Sequence, residues 1–141
     1  MNMTENKPYK STTTTECGRY GEDVAAKYLQ SKGYKILARN FRYSHRELDI
    51  IAENDQWVIF VEVKTRTNRG DNLIKYGPPG RAVNLKKQRF IVSAANHYIR
   101  LNHPNKWPRL DVIEVFLSPT KKFGKPIVEK INHMEGAFHV R

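Results

Sequence analysis

The chain has 141 residues and a formal net charge of +11, since 25 lysine and arginine residues outnumber 14 aspartate and glutamate residues. That length fits one domain with a sizeable core, and a hydrophobic content of 39% excludes an intrinsically disordered chain. A single cysteine, Cys17, excludes internal disulfides and a cysteine zinc site. The basic charge indicates nucleic acid as the first candidate partner and an acidic membrane surface as the second, while solubility alone is the plain alternative.

The predicted organisation is one domain between two polar ends. We predict a flexible lead-in at residues 1–14, a single domain at residues 15–133 and a loose tail at residues 134–141. No apolar run is long enough to cross a bilayer, and the first residues lack the apolar centre of a signal peptide. We therefore expect a cytoplasmic protein.

Hydrophobic periodicity and turn residues predict an α/β chain in which a helix precedes three strands. The first helix is expected to begin near Thr13, whose spacing to Glu16 is that of a capping box, and to end near Ser31. The later elements are predicted as a strand at 34–41, a hairpin at 47–65, a helix at 82–101, a strand at 109–117 and an edge strand at 126–133. This order predicts a mixed central sheet with a helix on each face, because the hairpin pairs antiparallel and the second helix permits a parallel crossover.

The segment 66–81 is basic, contains several glycines and prolines, and has little periodicity. Long irregular segments in compact domains are usually functional or mobile. A loop that clamps substrate and simple disorder in the free protein are both consistent with this composition.

The hairpin carries acid where an ordinary core strand carries aliphatic residues. Its turn is predicted at Asn54-Asp55, which pairs Asp49 with Phe60. Because side chains alternate along a strand, Asp49, Glu62 and Lys64 then share one face of the sheet. Glu62 becomes the diagonal neighbour of Asp49, about 7–8 Å away between backbones and within reach of long side chains.

Two interpretations of these three residues stay open. A buried, unpaired carboxylate is costly, and a Mg²⁺ ion between Asp49 and Glu62 would remove that cost while leaving room for water and a substrate phosphate. Lys64 would then bind a phosphate oxygen or orient an attacking water. Alternatively, Lys64 forms a structural ion pair with one of the two carboxylates at the edge of the sheet.

Other polar residues are candidate supports of such a site. Glu22 lies beside the apolar stripe of the first helix, Glu47 shares the predicted face of Asp49, and Gln88 lies near the start of the second helix on its apolar face. Glu22 is alternatively a partner of the helix dipole, and Gln88 a partly exposed residue of a first turn. Asp111 alternates with apolar residues and is predicted to be a structural carboxylate paired with an arginine or lysine.

The spacing of Asp49 and the run Glu62-Val63-Lys64 resembles the PD-(D/E)XK nuclease pattern. The flanking motifs are G-E-D-V-A-A-K-Y-L at 21–29, G-Y-K-I-L-A-R-N-F-R at 33–42, E-L-D-I-I-A at 47–52, V-E-V-K-T-R at 61–66 and K-K-Q-R-F at 86–90. Together, from about Cys17 to Leu117, they resemble the YraN-type family of predicted endonucleases, which is similar to Holliday-junction resolvases. Arg46 departs from the pattern, because the family usually has glycine there, so the turn that enters this strand differs.

The resemblance implies a restriction-endonuclease-like αβββαβ core and a metal-dependent endonuclease that hydrolyses phosphodiester bonds, with DNA, including branched DNA, as the expected substrate. It implies Asp49, Glu62 and Lys64 as catalytic residues, and Mg²⁺ or Mn²⁺ held by Asp49, Glu62 and the carbonyl of Val63. Resolvases of similar fold imply a homodimer by analogy. The alternative function is a basic nucleic-acid-binding module that keeps this fold without efficient chemistry.

Basic residues around the predicted site are candidates for phosphate contacts, because lysine and arginine neutralise the nucleic-acid backbone. A charged run is otherwise only a solvated face. The candidate contacts are Arg42, Arg46, Arg66, Arg69, Lys86, Lys87 and Arg89.

Overall fold

The structure, a computed structural model, describes residues 9–67 and 83–139, with side chains described from Glu16 onward. Within those ranges the chain forms α1 (Tyr9–Ser31), β1 (Lys35–Tyr43), β2 (Arg46–Glu53), β3 (Trp57–Thr67), α2 (Leu85–Asn102), β4 (Trp107–Lys122) and β5 (Lys125–Met134). None of the described helices is long and apolar enough to span a membrane. The predicted loop at 66–81 lies outside the described residues except for its first two, which belong to β3.

The strands form one mixed sheet in the order β1-β2-β3-β4-β5. Neighbouring strands pair antiparallel except β3 and β4, which run parallel from Trp57 opposite Trp107 to Thr67 opposite Leu117. The connection between these two parallel strands contains α2. The predicted mixed α/β architecture is therefore confirmed.

Each face of the sheet packs against one helix, as the sequence predicts. On one face, Leu29 of α1 packs with Val61 and neighbouring aliphatic residues of the sheet. On the other face, Ile91 of α2 packs with Phe60 and Ile51. β3 is thus covered on both sides, which explains its nearly continuous apolar run.

The described parts of both predicted chain ends differ from the prediction, while residues 1–8 and 140–141 lie outside the described residues. α1 begins at Tyr9, so it includes residues that we expected in the lead-in, and the Thr13–Glu16 pair lies inside the helix. Residues three apart are neighbours on any helix surface, so capping-box spacing alone does not fix the first residue. The tail is docked rather than loose as far as His139, because Ala137 N–H donates to the Leu110 carbonyl at 2.8 Å and Phe138 packs beside α2.

The hairpin turn lies one residue later than predicted. The Asn54 side-chain oxygen accepts hydrogen bonds from the backbone N–H groups of Gln56 and Trp57 at 3.0 and 2.8 Å, so the two-residue loop is Asp55-Gln56. The register then pairs Ile50 with Val61, which brings Asp49 opposite Glu62 rather than Phe60. Because the loop length stays even, Ile51 still lies on the same face of the sheet as Phe60, as predicted.

The pleat of β2 is broken around Asp49. Leu48 and Ile51 both lie in the cluster covered by α2, whereas Ile50 lies in the cluster covered by α1. Strict alternation would put Leu48 and Ile50 on the same face. The residue of β1 facing this position is Asn40, whose φ of 52° departs from strand geometry. Because of this irregularity, strand alternation does not assign the Asp49 side chain to either face of the sheet.

Candidate active site

The Asp49 side chain bonds to the backbone of the neighbouring strand. Its Oδ2 atom accepts a hydrogen bond from the Val63 N–H at 2.7 Å. The described backbone pairing of β2 with β3 reaches only to Ile50 and Val61. Beyond that point the Asp49 carboxylate, and not a backbone carbonyl of β2, accepts the hydrogen bond from β3. A short, charge-assisted bond of this kind fixes the orientation of the carboxyl group.

Glu62 is a buried acid, with only 4% of its surface exposed. Its Oε2 atom lies 3.3 Å from Lys87 Nζ, while its Oε1 atom has no hydrogen-bond partner among the described residues. A buried oxygen without a partner costs free energy comparable to a lost hydrogen bond, and more for a charged group. Glu62 therefore presents an oxygen that no described residue satisfies and that suits a bound cation or hydrogen-bond donor.

The two carboxyl groups interact directly. Burial, then the negative charge of Glu62 and a hydrogen bond between the two side chains, raise the pKa of Asp49 to about 7. The Val63 N–H and the positive charge of Lys87 oppose this shift in pKa. Two acids this close either share a proton or hold a cation between them near neutral pH.

Glu22 stands beside this pair, on the first helix. Burial and the charge of Asp49 raise its pKa, and its Oε1 atom accepts a hydrogen bond from Asn40 Nδ2 at 3.2 Å. Its position depends on Gly21, because a Cβ atom there would overlap the Thr65 hydroxyl of β3. A glycine therefore lets α1 approach β3 closely and brings a third carboxylate within electrostatic range of the pair.

Lys64 lies on β3 two residues after Glu62, at a half-buried position facing a small pocket. The pocket has a volume of about 230 Å³. Among the described residues it is lined by Arg46, Glu62, Lys64, Asn84, Lys86 and Lys87. One acid and four cations make this a positively charged recess with a carboxylate in its wall, which suits a phosphate group held beside a metal ion.

Lys87 belongs to the site itself, a role that the sequence did not reveal. Asn84 caps α2 by accepting a hydrogen bond from the Lys87 N–H at 2.9 Å, so this lysine lies in the first turn of the helix. Its side chain crosses to the sheet and reaches Glu62. Asn84, a capping residue before a run with helical periodicity, was the signal in the sequence that could have located the start of α2, although not the contact with Glu62.

The other two candidate supports lie apart from the carboxylate pair. Glu47 is exposed and pairs with Arg42 at 3.6 Å. Gln88 donates its side-chain N–H to the Val83 carbonyl at 3.0 Å, just before α2. We therefore leave both out of the proposed chemistry.

The basic candidates separate into three groups. Lys86 and Arg46 are exposed and line the pocket, Arg42 and Arg89 are exposed outside its lining, and Arg46 lies over the Phe90 ring at 5.9 Å. Arg66 instead forms a largely buried ion pair with Glu114 at 3.1 Å, and we leave it out of the proposed nucleic-acid interface. Arg69 lies outside the described residues.

Asp111 has the structural role that the sequence predicted. It is fully buried and receives hydrogen bonds from two nitrogens of Arg109 at 2.9 and 2.8 Å. His133 Nε2 lies 2.8 Å from the same carboxylate, and the Gly136 N–H donates to it at 3.0 Å. Burial raises the pKa of Asp111, but these bonds outweigh that effect and leave the pKa below its ordinary value.

Comparisons with known proteins place the whole site inside one family. The sequence profile of the Uncharacterised protein family UPF0102 matches residues 21–115, which include every residue of the carboxylate pair and its pocket. This chain belongs to the UPF0102 family. It is 42% identical over 130 residues to a UPF0102 protein of Caldanaerobacter subterraneus, covering 92% of this chain and 99% of that one. It is 44% identical over 124 residues to a UPF0102 protein of Clostridioides difficile, covering 87% and 96% of the two chains. The YraN-type resemblance is thus confirmed at the level of the family.

The donor set of this UPF0102 protein can be compared with the needs of a hard divalent ion. Across residues 16–67 and 83–139, no three histidine, cysteine, aspartate or glutamate side chains form a ready cage for a metal. Mg²⁺ does not need such a cage, because it usually takes one or two carboxylates and keeps several waters. Asp49 and Glu62, with the unpaired Oε1 of Glu62, fit that requirement.

Proposed function

We propose that this protein is a metal-dependent endonuclease that hydrolyses the phosphodiester bonds of DNA, on a restriction-endonuclease-like αβββαβ core. The observation that carries the proposal is the pairing of Glu62, a buried acid with one oxygen unpaired among the described residues, with Asp49, a half-buried acid whose pKa is raised by burial and by the charge of Glu62. Such an arrangement destabilises the protein unless a cation or proton is bound. Perturbed acids in a charged recess are typical of functional sites.

Asp49 and Glu62 would hold Mg²⁺ or Mn²⁺, joined by the carbonyl of Val63 as the nuclease resemblance implies. When bound, the ion supplies a Lewis acid that polarises the scissile phosphate and lowers the pKa of a coordinated water. The hydrogen bond from the Val63 N–H keeps Asp49 in place for this role. Glu22, whose pKa is raised by burial and by the charge of Asp49, would contact the bound ion through a water.

Lys64 and the neighbouring cations account for the substrate class. Lys64 lies in the recess beside Glu62 and would contact the phosphate oxygen on which negative charge develops during hydrolysis. The exposed Arg46, Lys86 and Arg89 would hold the phosphates on either side, in a protein whose net charge is +11. We further propose, by analogy with resolvases of similar fold, a cytoplasmic homodimer.

A cleavage panel tests the proposal. Purified protein is incubated with duplex, flap, four-way-junction and single-stranded DNA and with RNA, in Mg²⁺, Mn²⁺ or EDTA. We expect cleavage of at least one DNA form with a metal ion and none in EDTA. Glu62→Gln should abolish cleavage, whereas Glu47→Gln, a matched change at the exposed acid of the same hairpin, should preserve it. Equal activity of the two variants would contradict the assignment of Glu62.

The alternative is a nucleic-acid-binding module without efficient chemistry. It is favoured by the Lys87 contact, because Lys87 already supplies positive charge to Glu62 at 3.3 Å. The two functions differ in their need for metal. Calorimetry with Mn²⁺, and the melting temperature in millimolar Mg²⁺, should reveal binding that Asp49→Asn removes if the site is an enzyme site. A parent protein that binds DNA but responds to neither ion would support the binding module instead.

A further inference from the structure

The last two strands form a ribbon that extends beyond the rest of the described sheet. The pairing of β3 with β4 ends at Thr67 opposite Leu117, but β4 continues to Lys122. Its partner β5 begins at Lys125, so Lys122 and Lys125 are paired at the tip. Residues 119–125 are all exposed. A two-stranded ribbon has little core of its own, so its side chains contribute little to the stability of the domain.

The chemistry of this tip is that of a binding surface. Lys121, Lys122 and Lys125 surround Phe123, whose surface is 93% exposed. Phe123 has a φ of 54°, a left-handed conformation that is rare for a bulky side chain. Lys122 Nζ lies 5.8 Å from the centre of its ring. An exposed aromatic ring on a strained turn contributes no burial to the stability of the fold. Its position among lysines points instead to a ligand that has both negative charge and a flat apolar surface.

The tip projects from the end of the sheet that carries the candidate site. In the parallel pairing, Lys64 stands beside Glu114, and β4 runs on from there in the same direction as β3. Lys122 lies eight positions after Glu114, which is at most about 25 Å of extended strand. That length equals roughly seven base-pair steps of a duplex. One nucleic acid can therefore reach both the recess at Lys64 and the tip.

We propose that the β4–β5 tip, formed by Lys121, Lys122, Phe123 and Lys125, is a second contact for nucleic acid, in which the lysines bind phosphates and Phe123 stacks on an unpaired base. The inference rests on the proposed function and deepens it, because stacking requires a base outside a continuous duplex. The substrate class is a DNA duplex that adjoins a single strand. Aromatic stacking of this kind does not depend on base identity, so the tip selects shape rather than sequence.

Two other occupants fit the tip less well. A membrane anchor buries a broad apolar face, whereas Phe123 is flanked in the turn by Lys122 and Gly124. The lysines beside it share a small recess with Glu16, Cys17 and Tyr20 of α1, which is not a broad apolar face either. A second copy of the chain docked tip to tip would bring two sets of three lysines together. Nucleic acid satisfies the charge and the ring together.

The experiment measures binding in EDTA by fluorescence anisotropy, with a blunt duplex and with the same duplex extended by a single-stranded overhang. Phe123→Asn removes the ring while keeping a residue that tolerates a positive φ. Its affinity for the overhang substrate should fall roughly 5- to 100-fold, with little change on the blunt duplex. The triple variant Lys121→Gln, Lys122→Gln and Lys125→Gln should reduce the salt dependence of binding by about 2 to 3 in slope.

A matched triple variant controls for net charge. Lys27, Lys32 and Lys35 are exposed near the opposite end of the sheet, where β1 begins beside Glu53, and their change to glutamine should alter the slope by less than about 1. A parent that binds and cleaves DNA while the tip and control variants behave alike would overturn the inference and leave the proposed function intact. A parent that neither binds nor cleaves any DNA overturns both.

Two further measurements identify the other occupants. Loss of binding to phosphatidylglycerol vesicles in Phe123→Asn, with DNA binding unchanged, would assign the tip to a membrane and overturn the inference. A parent dimer that Phe123→Asn converts to a monomer by light scattering, again with unchanged DNA binding, would assign it to self-association with the same consequence. A 2-aminopurine base at the overhang whose fluorescence is quenched by the parent but not by Phe123→Asn would support stacking directly.

Discussion

Lys87 Nζ lies 3.3 Å from Glu62 Oε2, joining the first turn of α2 to the acid at the centre of β3. This contact fixes the rotation of α2 on the sheet at the point where the proposed chemistry takes place. It also gives Glu62 a positive partner in the absence of a metal ion. A cation that must share Glu62 with Lys87 binds against the repulsion of an ammonium group close by.

Lys87→Met should therefore raise the affinity of the protein for a metal ion. Removing the ammonium group while keeping an apolar stem should strengthen Mn²⁺ binding several-fold, because one competing charge is lost, and should lower the melting temperature of the metal-free protein. Calorimetry with Mn²⁺ measures the first effect and thermal unfolding in EDTA the second. Lys86→Met is the control, since Lys86 is exposed and has no described ion pair with Glu62. Weaker Mn²⁺ binding in Lys87→Met than in Lys86→Met would mean that Lys87 supports the bound ion instead.

Asp49→Asn should stabilise the metal-free protein while abolishing its response to metal. The substitution removes the half-buried negative charge beside Glu62 but keeps an oxygen that can accept the Val63 N–H. We expect a gain on the order of 1 kcal/mol in unfolding free energy at pH 8, measured by denaturant titration in EDTA. Asp55→Asn, in the exposed hairpin loop, is the control. A destabilised Asp49→Asn protein would show that the carboxylate contributes more through its hydrogen bond than it costs through repulsion.

The sequence predicted the faces of the hairpin better than its register. Alternation holds along β3 and from Ile50 to Ala52 of β2, and the even loop keeps these residues on their predicted faces, but alternation fails at Asp49, where the pleat of β2 is broken. The position of the turn depended on Asn54, whose side chain bonds to Gln56 and Trp57 and so places it before the loop rather than in it. A shift of one residue in the turn moved the partner of Asp49 by two, from Phe60 to Glu62.

The contacts between distant elements were harder to predict. Four of the five residues in K-K-Q-R-F are polar, and the side chain that reaches the sheet depends on how α2 docks, which local patterns do not determine. The prediction that Arg66 belongs to the nucleic-acid interface failed for the same reason. Its partner Glu114 is 48 positions away in the sequence, so no local pattern indicates the ion pair. The pairing of Asp111 was predictable, since an acid inside an apolar strand needs a cation and Arg109 stands two residues away.

Gly21→Ala should destabilise the protein. A Cβ atom at this position overlaps the Thr65 hydroxyl, and overpacking of this kind costs typically about 1–3 kcal/mol, against a gain of about 1 kcal/mol from replacing a helical glycine by alanine. Gly18→Ala is a matched control on the same helix, because no atom lies within 4 Å of its added Cβ and alanine favours helices by about 1 kcal/mol. Thermal unfolding of the two variants should therefore show opposite signs. Shifts of the same sign would mean that α1 does not pack on β3 through Gly21.

Asp111→Asn should destabilise the protein in a pH-dependent way, without a direct effect on cleavage. The folded state holds the pKa of Asp111 below its ordinary value, so its charged form contributes stability above about pH 3.9, and this contribution is lost as the pH falls through the lowered pKa. At pH 7 the loss should be on the order of 3 kcal/mol, because Arg109 is left without its buried partner. Denaturant titrations from pH 3 to pH 7, with Asp55→Asn as control, should show the difference from the parent shrinking at the acidic end. A difference that is constant with pH would contradict the ionised state of Asp111.

Lys64→Ala separates chemistry from binding. The proposed role of Lys64 is to stabilise charge on the phosphate during the reaction, and a group of this kind contributes roughly 10²–10³ in rate. Affinity for DNA is instead spread over many of the 25 basic residues, so the variant should bind DNA within a few-fold of the parent while cleavage falls by that factor. Glu62→Ala should show the same pattern and could bind DNA more tightly, since a negative charge beside the phosphate is removed.

The control for Lys64→Ala is Lys27→Ala, which removes one charge from an exposed position on α1. Single-turnover cleavage rates at saturating protein, together with anisotropy measurements on the same substrate, separate rate from affinity. A folded Lys64→Ala protein that cleaves as fast as Lys27→Ala would exclude Lys64 from the chemistry. In that case the activity would come either from the metal ion without Lys64 or from a contaminating nuclease, and Glu62→Ala distinguishes the two. A fully active Glu62→Ala protein would assign the cleavage to a contaminant. An inactive Glu62→Ala protein would assign it to the metal site.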